Sequence, residues 1–252
     1  MKKRLLSLAL AGLLFIGSTP VKVNAISKGD SSFKDFITTD GTKLMDGGEE
    51  LKFISLNYPQ ATSDNSWEHA NAMKTIKAMG GNVTRTYTIP VANGFNGAKA
   101  YVTGVDENGK LTFNEDALNE LDDVLVQANK YGVRVIIPLV DHWHWIGGMD
   151  GYVWLAGESE GNAPSNSSFQ SWAWNFYSSE TCRDYFKQMI EHLLERENTV
   201  TGVKYKDDKA ILCWETANEA GGNPTNQKNY DDVLSDWNID ITNSSRLMIK
   251  II

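Results

Sequence analysis

The chain has only two cysteines, Cys182 and Cys213, among its 252 residues. Two cysteines are too few for a scaffold held together by disulfides. Cys213 lies inside an apolar segment, so we expect it to be a buried free thiol in preference to half of a bridge.

The chain also lacks an excess of positive charge. It has 24 Lys and Arg residues against 32 Asp and Glu residues, for a formal net charge of −8. A nucleic-acid-binding protein needs a basic stripe for the phosphates, so a nucleic-acid partner is not expected. The acidity itself suits most soluble secreted proteins and indicates no particular ligand.

Long apolar runs are absent except near the start. Residues 1–25 have a basic beginning (Lys2 to Arg4), an apolar run that ends at Ile16, and small residues up to Ala25. This three-part pattern predicts a secretory signal peptide. The apolar run is shorter than the roughly 20 residues that a membrane span needs, so we expect export to the extracellular space and no membrane anchor. Residues 26–252 would then form one domain.

Strands and helices alternate along the remaining chain. Four mostly apolar segments are predicted as strands (51–59, 82–89, 133–141 and 210–219), and helical patterns separate them (66–81, starting from a Ser66 cap, 114–132 and 179–202). A further helix is predicted after Tyr230, and residues 33–50 look like a small hairpin that caps one end. Repeated strand–helix units predict an α/β fold with a parallel sheet.

Chain length leaves two forms of that fold open. A closed (β/α)8 TIM-type barrel takes about 250 residues and eight strands. Here only about four strand–helix units are visible, which predicts a barrel-type domain truncated near its middle. The alternative is a complete doubly wound sheet of four or five strands.

Polar and aromatic side chains follow each predicted strand. They are Asn57 and Tyr58, Arg85 and Tyr87, residues 141–145, and Asn218 with Glu219. The carboxyl ends of parallel strands meet at one edge of a sheet, where function collects. This convergence makes Glu219 a candidate catalytic acid. Five of the eight tryptophans also fall between Trp143 and Trp174, more than a core usually needs, although each could simply pack in the core or a loop.

The ordered motifs resemble glycoside hydrolase family 5, whose members are retaining (β/α)8 glycosidases. The segment RENTVTGVKYKDDKAILCWETANEA resembles the approach to that family's fourth strand, and FYSSETCRDYFKQMIEHLLE its third helix. The segments FITTDGTKLMDGGEELKFISLNYP and DHWHWIGGMDGYVWLAG resemble the opening and the third-strand loop of the family's mannanases. The likeness covers nearly all of residues 26–252, but only the first half of the family's domain.

The resemblance implies roles for particular residues. Glu219 would be the general acid/base, Asn218 would bond the sugar 2-hydroxyl, and Arg85 would orient the carboxylates of the site. A glycosidic oxygen leaves only when protonated, and indole rings pack on the apolar faces of pyranose rings, so the residue types suit these roles. No cofactor is implied, and the expected partner is a polysaccharide such as mannan or glucomannan. The remaining sugar-binding candidates are Trp143, Trp145, Trp154, Tyr58 and His142.

Two departures from the family pattern matter. Ala220 stands where the family usually has proline, a minor change. The family's nucleophile, a second carboxylate about 5 to 5.5 Å from the acid, comes from a seventh strand that these residues do not include. Glu215 is not expected to replace it, because four strand residues at about 3.3 Å each place it about 13 Å deeper. We therefore expect these 252 residues alone to be nearly inactive.

Other readings of the sequence stay open. A β-1,4-glucanase of the same family is one, and a secreted domain that binds polysaccharide without cutting it is another. His142 and His144 share a strand face, as two zinc ligands would, but no further histidine cluster follows. Half a barrel would also expose two sheet edges, which invites self-association.

Overall fold

The computed structural model describes Lys28 and residues 31–92, 99–161, 164, 169–221 and 230–246. The predicted signal peptide lies outside these residues. Its strands are β1 (Ile37–Asp40), β2 (Lys43–Asp46), β3 (Glu49–Glu50), β4 (Ser55–Asn57), β5 (Val83–Arg85), β6 (Val102–Val105), β7 (Leu111–Phe113), β8 (Arg134–Pro138) and β9 (Ile211–Glu215). Its helices are α1 (Ser66–Ala78), α2 (Glu115–Tyr131), α3 (Gly148–Leu155), α4 (Asn175–Ser178), α5 (Glu180–Glu195) and α6 (Tyr230–Arg246).

The central sheet is parallel and follows the order of the chain, β4-β5-β8-β9. Asn57 lies beside Arg85, and Arg85 beside Ile136, so the strand ends line up along one edge. A doubly wound sheet starts near its middle and reverses direction, whereas barrel strands are added one after another. The sequential order therefore confirms the barrel-type prediction over the doubly wound alternative.

All four predicted strands are present, but each is shorter than predicted. The largest difference is at β9, which ends at Glu215 instead of continuing to Glu219. Beyond Glu215 the chain turns polar and leaves the ladder, and it returns to β8's continuation through a single bridge between Asp141 and Asn218. Backbone hydrogen bonds from Asn218 N–H to the Val140 carbonyl and from His142 N–H to the Asn218 carbonyl hold this segment beside the continuation of β8.

The three predicted internal helices are present with buried apolar faces, but the third ends at Glu195 and not at the predicted residue 202. The prediction of Ser66 as the first helix cap is wrong by one residue. The Asn65 side chain accepts from the backbone N–H groups of Trp67 and Glu68, and the Glu68 carboxylate accepts from Asn65 N–H at 2.9 Å. This reciprocal capping box places Ser66 inside the helix.

The helix predicted after Tyr230 is also present as α6. Its Trp237 is fully buried and stacks on Phe186 of α5, with 5.5 Å between ring centroids. Phe176 and Tyr177 of α4 complete this aromatic cluster against Trp237. Aromatic side chains therefore make up much of the contact between α4, α5 and α6.

The opening residues form the predicted hairpin, extended by a short third strand, β1-β2-β3. Arg134, at the start of β8, joins it to the sheet by an ion pair with Asp46 at 2.7 Å and by stacking over Phe33 at 4.2 Å. Since Arg134 is at the amino end of β8, the hairpin covers the end of the sheet opposite to the candidate site.

Both cysteines are free, as predicted, but Cys213, which was expected to be buried, is only partly buried. Burial raises the pKa of the Cys182 thiol to about 12 and that of Cys213 to about 11. Among the described residues, no helix has the length and apolar character needed to cross a bilayer.

Candidate active site

An open cleft of about 460 Å³ lies at the carboxyl ends of the four parallel strands. Each strand or the segment after it contributes to the wall, as expected for a parallel sheet. Its lining residues are Asn57, Pro59, Arg85, Thr86, Tyr87, Trp143, Trp145, Asn218 and Glu219.

Glu219 is exposed in this cleft, and its carboxylate is held by one specific contact. The indole Nε1–H of Trp143 donates to Glu219 Oε2 at 2.6 Å. The backbone of Glu219 is left-handed, with φ of 49°, and the residue is exposed. The carboxylate therefore lies at the open side of the cleft and not in the apolar interior.

Arg85 ties the floor of the cleft together. Its Nε and Nη2 both donate to Glu215 Oε2, at 2.9 and 2.7 Å, and Nη2 also donates to Asn218 Oδ1 at 2.8 Å. The carboxylate that Arg85 holds is thus that of Glu215. The expectation that Glu215 lies far below the site assumed a continuous extended strand, and β9 ends at Glu215 itself.

Asp141 lies fully buried beneath the cleft and accepts from three groups. Its Oδ2 accepts from the Tyr87 hydroxyl, and its Oδ1 accepts from Asn218 Nδ2 at 3.0 Å and from the Trp143 backbone N–H at 3.2 Å. Burial raises the pKa of Asp141, while these hydrogen bonds oppose that rise. Burial and the bond to Asp141 also raise the pKa of Tyr87, so the phenol keeps its proton.

The loop after β8 presents its tryptophans because two glycines let it fold back on itself. A side chain at Gly147 would meet the Val91 carbonyl oxygen at 1.8 Å, and one at Gly148 would meet the Trp143 carbonyl oxygen at 2.2 Å. The Met149 N–H then donates to the Asp141 carbonyl at 2.8 Å, which starts α3 against the loop. Trp143 and Trp145 are left 36% and 42% exposed at the cleft.

Two predicted sugar platforms lie elsewhere. Tyr58 is buried, its hydroxyl donates to Asp64 at 2.7 Å, and its ring meets His69 edge-on. Trp154 is partly buried and packs against the main core. Asn57 faces the cleft, so strand alternation turns the next residue, Tyr58, the other way.

His142 is buried behind the cleft wall, where it supports Trp143. Its ring stacks on Phe169, with 5.4 Å between centroids, and meets Trp143 edge-on at 5.0 Å. Burial lowers the pKa of His142 and favours the neutral imidazole. His144 is buried as well, and the described residues contain no group of three His, Cys, Asp or Glu side chains that could hold a metal ion.

The structure adds Asp141, Tyr87 and Glu215 to the residues that build the site. Asp141 and Tyr87 were visible at predicted strand ends, but no rule linked them to each other. Glu215 was not predicted as a site residue, because the strand was expected to run to residue 219 and β9 ends at Glu215.

A parallel sheet in sequential order, with a carboxylate and indoles at its carboxyl ends, defines an α/β protein of the barrel class. The family model described as GH family 5 beta-mannosidase-like matches residues 34–248. The chain belongs to this glycoside hydrolase family, which confirms the resemblance seen in the sequence.

Named relatives point the same way. The chain is 29% identical over 220 residues to the mannan endo-1,4-beta-mannosidase 4 of Solanum lycopersicum, covering 82% of this chain and 50% of the tomato protein. It is 27% identical over 209 residues to the mannan endo-1,4-beta-mannosidase 1 of Arabidopsis thaliana, covering 80% of this chain and 45% of that protein. The chain thus spans about half the length of these curated relatives.

The fold has a solved counterpart in the endo-1,4-beta-mannanase from Rhizomucor miehei. The two superpose with a TM-score of 0.72 at 25% sequence identity, over 85% of this chain and 58% of that one. The fold predicted from the sequence, part of a TIM-type barrel, is therefore confirmed.

Proposed function

We propose that the chain is the acid-bearing part of a retaining endo-β-1,4-mannanase that hydrolyses mannan-type polysaccharides. The observation that carries the proposal is the Glu219 carboxylate, exposed at the carboxyl edge of the sheet and fixed by Trp143 Nε1–H at 2.6 Å. The names of the tomato and Arabidopsis relatives support mannan as the substrate.

In this proposal Glu219 protonates the glycosidic oxygen of the leaving sugar and later takes a proton from the attacking water. The Trp143 N–H holds one carboxylate oxygen, so the other is directed to the substrate. Asn218 offers an amide N–H to a sugar hydroxyl. The half-exposed rings of Trp143 and Trp145 pack on pyranose faces.

A retaining mechanism also needs a nucleophilic carboxylate about 5 to 5.5 Å from the acid. Glu215 is a poor candidate, because it is not among the residues that line the cleft. The family resemblance assigns the nucleophile to a seventh strand. We therefore expect the 252 residues alone to bind mannan oligosaccharides and to cut them little.

The signal-peptide pattern of residues 1–25 supports secretion, and a polymeric substrate would require it. The acid and nucleophile chemistry uses carboxylates only, so the proposal includes no cofactor.

A chimera tests the acid assignment. Residues 34–248 would replace the matching segment of the Rhizomucor miehei mannanase, and sugar release from galactomannan, glucomannan and carboxymethyl cellulose would be measured. We expect galactomannan to be cut fastest, and Glu219→Gln to lower the rate by about 10² to 10⁴. Glu107→Gln, at an exposed position in the β6–β7 turn, is the matched control and should change nothing.

Full activity in the Glu219→Gln chimera would overturn the acid assignment. A preference for carboxymethyl cellulose would favour the glucanase alternative of the same family.

A second candidate function, polysaccharide binding without cleavage, is favoured by the exposure of Trp143 and Trp145. It predicts an inactive chimera and mannohexaose binding to the 252-residue chain that survives Glu219→Gln but is lost in Trp145→Ala.

A further inference from the structure

Asp141 is the meeting point of three groups that face the cleft. Its carboxylate is fully buried, yet its donors are the Tyr87 hydroxyl, the Asn218 amide and the Trp143 backbone N–H. Tyr87, Trp143 and Asn218 all line the cleft. The Asp141 side chain thus contacts residues that line the cleft but does not line the cleft itself.

The contact with Asp141 fixes which way the Asn218 amide points. Asn218 Oδ1 accepts from Arg85 Nη2 at 2.8 Å, and one Nδ2 hydrogen goes to Asp141 at 3.0 Å. An amide with its oxygen on a guanidinium and its nitrogen on a carboxylate has no reason to flip. One N–H is left for a ligand.

The contact between Asp141 and Tyr87 leaves the Tyr87 hydroxyl as an acceptor, whereas Asn218 is left as a donor. A phenol has one proton, and Tyr87 gives it to Asp141 Oδ2. The Tyr87 oxygen can then only accept from a group in the cleft. A ligand hydroxyl at Tyr87 must therefore donate, while one at Asn218 must accept.

We propose that Asp141 is a positioning residue that sets this donor-and-acceptor pattern, and so fixes how the sugar hydroxyls at the two places are oriented. The identity of the ligand rests on the proposed function above. The hydrogen-bond pattern rests on the geometry alone.

Replacing Asp141 by asparagine would test this pattern with little change in shape. An asparagine has one oxygen and one NH2 group in place of two accepting oxygens. If the NH2 faces Tyr87, the phenol must accept from it and turn its proton to the cleft. If it faces Asn218, two donors confront each other and the amide is displaced.

The first measurement needs no ligand. The full chain would be labelled with 13C at the tyrosine hydroxyl-bearing carbon, and the pKa of Tyr87 would be followed by NMR. We expect that pKa to fall in Asp141→Asn and to stay high in Asp150→Asn. Asp150 is a matched control, because it is equally buried and its carboxylate accepts from the Gly151 backbone N–H.

The second measurement is mannohexaose binding by calorimetry. Asp141→Asn and Tyr87→Phe should each weaken binding by about tenfold, and the two losses should be less than additive, since both variants break the Tyr87–Asp141 hydrogen bond. A Tyr87 pKa that does not move in Asp141→Asn, or fully additive losses, would overturn the proposal.

The two proposals fail in different ways. If the wild-type chain does not bind mannohexaose, the sugar assignment fails and the Tyr87 titration still decides the role of Asp141. If Asp141→Asn does not fold by circular dichroism, Tyr87→Phe replaces it. Loss of the phenol donor should raise the pKa of Asp141, followed by NMR at its carboxyl carbon. An unchanged pKa would contradict the proposed hydrogen bond between Tyr87 and Asp141.

Discussion

Two fully buried aspartates, Asp122 and Asp141, make similar hydrogen bonds at different places in the molecule. Asp122, on α2, accepts from Arg196 Nε and Nη2 at 3.0 and 2.8 Å, from the Tyr205 hydroxyl at 2.6 Å, and from Thr199. Arg196 and Tyr205 are themselves buried. The donors to Asp141 instead face an open cleft.

This difference in where the donors lie distinguishes a network that stabilises the fold from one that orients groups in the candidate site. Around Asp122 the Arg196 and Tyr205 donors are buried and only Thr199 is exposed, so the network mainly joins α2 to the end of α5 and the loop after it. Around Asp141 each donor belongs to a residue that also lines the cleft, where a ligand can contact it. A buried carboxylate is therefore informative about function only when its donors are followed to the surface.

The largest expected effect is at the structural network. Asp122→Asn leaves the buried Arg196 guanidinium with only the exposed Glu115 as a carboxylate partner. We expect a loss of about 3 kcal/mol in the free energy of unfolding, measured by urea denaturation, because removing one partner of a buried ion pair is strongly destabilising. A loss no larger than that of Asp141→Asn would remove the distinction between the two networks.

A third buried carboxylate sharpens the comparison. Asp150 Oδ1 accepts from Gly151 N–H, and its Oδ2 has no hydrogen-bond partner among the described residues. Burial raises the pKa of Asp150 to about 7 from its ordinary 3.8. In the unfolded chain Asp150 loses its proton near pH 4, whereas in the folded chain it does so only near pH 7. The free energy of unfolding therefore falls as pH rises from about 4 to about 7.

Asp150→Asn removes that titration. We expect the variant to be more stable than wild type by about 4 kcal/mol at pH 8, with the difference shrinking towards pH 4. Thermal melts across this pH range measure it. A constant difference at every pH would show that the Asp150 pKa is the same in the folded and the unfolded chain, and would contradict the raised pKa.

The smallest expected effect on stability is at the cleft surface. Trp145 is 42% exposed, so Trp145→Ala should change the free energy of unfolding by less than about 0.5 kcal/mol. The same variant should weaken mannohexaose binding measured by calorimetry, since the ring is proposed to pack on a sugar. Trp237→Ala is the contrasting control, because Trp237 is fully buried and its loss should unfold the core.

Much of this architecture could be predicted from the sequence. Apolar strands and periodic helices such as α2 and α5 carry strong signals, and the rule of strand ends brought Arg85, Asn218 and Glu219 together. The β6–β7 hairpin and α3 were not predicted. They are short, and the glycines at 104, 147 and 148 break the periodicity on which such predictions depend.

The site was harder to predict than the fold, for a physical reason. Tyr58 follows Asn57, and a shift of one residue along a strand sends the side chain to the other face. The place of Glu215 depended on where β9 stops. Hydrogen bonds between distant residues, such as that of Tyr87 with Asp141, leave no local pattern in a single sequence.

The left-handed backbone of Glu219 has a practical consequence for engineering. Any residue with a Cβ atom at φ of 49° costs about 1 kcal/mol, and glycine does not. A laboratory selection for heat resistance alone would therefore enrich Glu219→Gly. The selected variants would tolerate higher temperature and would have lost the carboxyl group that we propose as the proton donor.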